Sequence, residues 1–161
     1  MTRSVVADSC LAVKWLIAQQ DSDKADALLT FWTANSVQIL VPALFVSEVS
    51  NTIYRYVQRG RAKGAADSIT LVGAQLLTKA VLDIVYVVAE DAALVNRAAE
   101  LAFAWDRPTL YDSLFAALAE REGCIFWTAD EKFINGTQGR CPWVRHLRSY
   151  SHILPGPAPE R

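Results

Sequence analysis

Three of four carboxylates stand at or just past a strand end or a helix start, and the set raises a chemical question. Asp8 follows the apolar run 5–7 in "SVVADSCLAVKWL", and Glu48 lies in the first turns of the helix expected after Pro42. Asp112 sits at a helix start in "TLYDSLFAALAE", and Asp130 follows the apolar run of "CIFWTADEKF". In an open parallel sheet the carboxyl ends of the strands share one edge, where ligands bind. Acids far apart in sequence can meet there. Two carboxylates about 5 Å apart repel by roughly 3 kcal/mol at an effective dielectric near 20. Four would raise pKa values or require a cation, and oxygen-only ligands select a hard ion, Mg²⁺ or Mn²⁺, over zinc or copper. Such an ion keeps waters, binds a substrate phosphate and acidifies water. Phosphodiester hydrolysis is the chemistry that follows.

Each acid also has a purely structural use. Asp8 and Asp130 could be N-caps, Asp112 could close a capping box with Thr109, and Glu48 could be a solvated charge favoured by a helix N-terminus. Caps do not explain why Asn51 stands one turn from Glu48, or why Thr128 precedes Asp130 by two.

The elements that must hold these acids alternate along the chain. Strands are expected at 5–7, 37–40, 82–87, 124–127 and 143–147, with helices at 9–20, 22–34, 43–59, 62–79, 90–104, 110–122 and a short one after Asp130. This alternation predicts an α/β fold with a central, mainly parallel sheet, and the uninterrupted apolar strands predict helices on both faces. Proline at 42 suits a helix start. On the helix that follows, Val46, Val49, Ile53, Tyr56 and Val57 share one arc, and Glu48, Asn51, Arg55 and Arg59 another. Gly60 and Gly64 are expected to open a turn.

The 161 residues suffice for one domain with a single core. With 52% apolar residues the chain is not disordered, and its net charge of -1 gives no global pull toward nucleic acid or membrane. "MTRSVVAD" lacks a signal-peptide core, and charges break every later apolar run before it spans a bilayer. Three cysteines without zinc spacing suit a reducing cytoplasm; Cys10 and Cys124 read as small buried hydrophobes. His146 and His152 have nothing nearby with which to build a metal site. A folded domain over 1–150 and a flexible, proline-rich tail over 151–161 are expected.

The ordered set "VVADSCLAVKWL", "VPALFVSEVSNTIYR", "TLYDSLFAALAE" and "FWTADEKF" resembles the PIN-domain nucleases, and within them the VapC-type toxins. The resemblance spans about residues 4–147. It implies a three-layer α/β/α sandwich, and it carries the family's acidic cluster onto Asp8, Glu48, Asp112 and Asp130 as catalytic and metal-binding residues. The supporting hydroxyls and amide fall on Ser9, Thr128 and Asn51. It implies a Mg²⁺- or Mn²⁺-dependent endoribonuclease cutting tRNA or ribosomal RNA, a homodimer, and a cognate VapB-type antitoxin that holds it inactive. A stand-alone RNA-processing nuclease and a catalytically silent PIN-like binding module are the alternatives.

For RNA, the basic stretch "YRYVQRGRAKG" offers Arg55 and Arg59 on the face of Glu48, with Lys14, Lys132 and Arg140 as further cations. Cations late in a helix also favour its dipole without any RNA. The five tryptophans could stack on bases, though packing is the commoner use. A haloacid-dehalogenase-like phosphatase needs a second Asp two residues after Asp8, where Cys10 stands. A receiver domain needs adjacent acids on the first strand and a phospho-acceptor Asp after the third, where only the late pair Glu90–Asp91 occurs.

Overall fold

The computed structural model describes residues 3–64, 68–137 and 139–151. The tail expected to fray lies, from 152 onward, outside the described residues, as does His152. The strands are β1 (Ser4–Ala7), β2 (Gln38–Pro42), β3 (Tyr86–Val88), β4 (Ile125–Thr128) and β5 (Val144–His146). They form one sheet in the order β3-β2-β1-β4-β5, and each pairing is parallel. Successive strand residues face opposite sides, yet Val5, Val6 and Ala7 are all buried. The sheet is therefore covered on both faces.

Seven α-helices lie among the described residues: α1 (Ser9–Leu16), α2 (Ser22–Ala34), α3 (Leu44–Lys63), α4 (Leu71–Leu82), α5 (Ala92–Ala104), α6 (Tyr111–Glu122) and α7 (Glu131–Thr137). Helix α1 packs on α2 and α3, and α3 packs on α4; α5 packs on α6, which lies along β1, β2 and β4. The centre of α6, from Ser113 to Ala119, is entirely buried. Its run of alanines lets the helix approach the sheet closely. Phe115 and Phe126 stack there at 5.8 Å between ring centroids, and Phe133 closes on Phe126 at 5.7 Å.

Several expected boundaries move. Helix α3 runs through Gly60 and stops only at Gly64, because Gly60 lies against the segment leading to α4: a Cβ there would fall 2.3 Å from that of Ser68. Helix α4 starts at Leu71, not at 62, and continues to Leu82, so β3 is only three residues long. Phe45, Val49 and Ile53 form the buried stripe of α3, while Val46 is only partly covered. Cys10 is exposed and Cys124 half-buried, so neither is the buried hydrophobe expected. The tryptophans pack: Trp32 meets Trp15 and Trp127 edge-on, and Trp105 meets Phe133.

Candidate active site

The strand order reverses between β1 and β4, because β2 and β3 lie to one side of β1 and β4 and β5 to the other. Such a switch point opens a crevice at the carboxyl ends of its two strands. Asp8 follows the last residue of β1, and Thr128 is the last residue of β4. The two strands are stitched at this end by the Asp8 N–H, which donates to the Trp127 carbonyl at 3.3 Å.

Asp8 is buried. One carboxylate oxygen caps α1 by accepting from the Leu11 N–H at 2.7 Å, and the other accepts from the Thr128 hydroxyl. That hydroxyl accepts in turn from the Asp130 N–H at 2.9 Å. Asp130 caps α7, taking the N–H groups of Lys132 and Phe133 at 2.7 and 3.1 Å. Across the crevice, the Ser9 hydroxyl donates to Glu48 at 2.8 Å, tying α1 to α3. Helix α3 is itself capped from a distance, since Glu90 accepts from the Leu44 N–H at 2.7 Å.

Capping thus accounts for part of Asp8 and Asp130. It does not account for the other two acids. Helix α6 has no side-chain cap, so the Thr109–Asp112 box does not form; Asp112 pairs instead with Arg107 at 3.3 Å. Glu48 is partly covered and hydrogen-bonded rather than freely solvated.

Electrostatics link the acids into one group. Burial pushes Asp8 up to about 7, against the lowering effect of its bonds to Thr128 and Leu11, and the charges of Asp130 and Asp112 push the same way. Burial raises Glu48, opposed by its Ser9 bond and reinforced by Asp112. Burial and the charge of Asp130 raise Asp112, while Arg107 lowers it. Asp112 is the common neighbour of the other three.

The donors are all oxygen, which fits a hard dication. Their placement is open: among the described residues no three Asp, Glu, His or Cys side chains close into a ready metal cage. That openness is compatible with Mg²⁺, which commonly takes one or two carboxylates and fills its shell with water and substrate phosphate. Asn51, Arg55 and Arg59 are exposed. None makes a side-chain hydrogen bond to the acids; the Arg59 guanidinium lies 5.8 Å from the Tyr56 ring centroid. Lys14 donates to the Gln20 carbonyl, and Arg140 is spent on the carbonyls of Ala104 and Thr137. Arg107, five residues before Asp112 in "DRPTLYD", was not among the candidate residues of the sequence.

A family model described as "PIN domain" matches residues 5–136, which include all four acids. The chain belongs to the PIN-domain family. PIN-domain nucleases are hydrolases and generally use divalent metals. No curated protein matches the sequence. Among solved structures, PAE2754 from Pyrobaculum aerophilum is 21% identical, with 92% of this chain and 94% of that chain covered at a TM-score of 0.61. VapBC2 from Rickettsia felis, bound to a DNA fragment from its promoter, is 14% identical, covering 89% and 98% at 0.62. A toxin–antitoxin complex from Klebsiella pneumoniae is 15% identical, covering 89% and 97% at 0.64. At these identities the likeness is one of fold. No helix among the described residues is long and apolar enough to cross a membrane.

Proposed function

We propose that this PIN domain is a Mg²⁺- or Mn²⁺-dependent endoribonuclease, the toxin of a toxin–antitoxin module acting in the cytoplasm. The observation that carries the reading is the buried Asp8 at the switch point, its carboxyl raised to about 7 by burial and by the neighbouring Asp130 and Asp112. A core has no use for a carboxyl buried at such a cost beside other acids, whereas a cation site does. Asp8 and Asp112 would hold the ion, with Glu48 and Asp130 orienting water or a second ion. Bound there, the ion supplies positive charge to the phosphodiester and acidifies water.

The chain's own residues do the rest. Thr128 holds Asp8 and the start of α7 in one arrangement, and Ser9 fixes the Glu48 carboxylate. Asn51 stands one turn along α3 from Glu48 to contact substrate, and Arg55 and Arg59 lie further along that exposed face for RNA, in tRNA or rRNA. The toxin assignment draws on the folds it shares with the Rickettsia and Klebsiella toxin–antitoxin structures. A groove of about 660 Å³ between α3 and α4, lined by Ser50, Tyr54, Leu71, Ala74 and Leu82, suits a segment of a VapB-type antitoxin. The three free cysteines suit a reducing compartment. We take the domain as residues 1–150 and the toxin as a homodimer.

The test is cleavage of bulk tRNA and rRNA under Mg²⁺ or Mn²⁺ titration. The wild type should cut, and Asp8→Asn and Asp112→Asn should each lose at least a hundredfold in rate while remaining folded. Full activity in both variants would refute the site. Binding of RNA without cutting at any metal concentration would identify a silent module instead.

A further inference from the structure

Several arginines of the domain are already committed. Arg148 is held by Asp21 and Glu131, Arg97 by Glu100 and Glu120, Arg121 by Asp91 and Glu122, and Arg140 by two carbonyls. Arg107 differs in how it is held. Its guanidinium carbon lies 5.6 Å from the Phe133 ring centroid, and its side chain is only 19% exposed. Beneath it is Gly136, where an added Cβ would stand 2.6 Å from Nη1. Its side-chain hydrogen bonding among the described residues is one long contact, Nη2 to Asp112 at 3.3 Å. A guanidinium has five N–H donors in a fixed fork, so most of this fork is unspent.

An aromatic face, a missing Cβ and one carboxylate therefore hold a charged fork in place without consuming it. Phe133 also donates its N–H to Asp130, so the guanidinium is seated between Asp112 and the flank of α7, the helix whose first turn Asp130 caps. Planar forks of this kind match phosphate oxygens in a two-point contact. We propose that Arg107 is a phosphate-binding residue that grips the RNA backbone at the acid cluster through its free N–H groups. The proposal deepens the nuclease reading and rests on it. It also gives the acidic crevice a fixed positive group, which a polyanionic substrate needs before its phosphate can approach several carboxylates.

The test measures binding, separately from cutting. Affinity of fluorescently labelled bulk tRNA is followed across a salt series with Mg²⁺ present, all proteins carrying Asp8→Asn to prevent turnover. Arg107→Ala should weaken binding about tenfold and make the log–log salt slope shallower by about 0.7–0.9, the loss of one phosphate contact. Arg107→Lys, which keeps the charge and loses the fork, should restore the slope but only part of the affinity. Gly136→Ala keeps the arginine and pushes its tip aside; it should weaken binding several-fold, and add nothing once Arg107 is alanine. Thermal unfolding checks that each variant is folded, and should Arg107→Ala not fold, Arg107→Lys and Gly136→Ala decide the matter. Unchanged affinity and slope in folded Arg107→Ala would overturn the proposal and leave Arg107 a structural partner of Asp112. So would a Gly136→Ala effect that persists without the arginine. Neither result touches the cleavage test, whose failure would sink the nuclease reading instead.

Discussion

The burial of Asp8 costs stability, and the cost depends on pH with a definite sign. Its carboxyl is raised from 3.8 to about 7 in the fold, so the folded protein binds a proton there that the unfolded chain has released. Stability in the metal-free protein therefore falls as pH rises from about 4 to about 7, then levels off, by roughly 4 kcal/mol if the full shift is expressed. Asp8→Asn keeps an oxygen to cap α1 and removes the charge. Urea unfolding in EDTA should find this variant more stable than wild type at pH 8, with the gap closing toward pH 4. A wild type equally stable at both pH values would contradict the burial of an ionised group. The acids were legible in the sequence because three of them stand at or just past a strand end or helix start, and Glu48 lies in the first turns of α3, one turn before Asn51. Arg107 was not, because a cation shortly before an acid looks like any solvated pair until Phe133 and Gly136 are seen around it.

Element boundaries were harder to read than element types. The apolar periodicity of α3 identified a helix, but Gly60 looked like its end, since glycine interrupts helices and a second glycine follows at 64. Close packing on Ser68 gives the better account of Gly60. Helix propensity alone predicts that Gly60→Ala stabilises by about 1 kcal/mol. The contact predicts the opposite, a loss of about 1–3 kcal/mol from overpacking, readable as a lower midpoint in thermal or urea unfolding. A stabilised variant would mean that the α3–α4 connection yields freely. Glu90 shows the same limit: it serves α3 from the far end of β3, a partnership that spacing along the chain does not reveal.

The sheet as a whole depends on its strand order, which the alternating pattern left open. Parallel strands and helices on both faces followed from composition and periodicity, but β1 could have been central or peripheral. Its position between β2 and β4 brings Asp8 beside Thr128. The resulting cluster of like charges should respond to a dication across the entire molecule. An ion that binds the fold and not the unfolded chain, at a hundred times its dissociation constant, adds about 2.7 kcal/mol. For a domain of this size that is a rise of roughly 5–10 °C in Tm. Scanning calorimetry with Mn²⁺ should record it for wild type and lose most of it in Asp8→Asn. An equal rise in both proteins would place the ion elsewhere.

The stitch between β1 and β4 also has a consequence in time. Asp8 leaves the ribosome 120 residues ahead of Thr128. Until that interval has been made, a nascent polypeptide holds the acid with no β4 to set it against. The crevice therefore cannot assemble before synthesis has passed Asp130.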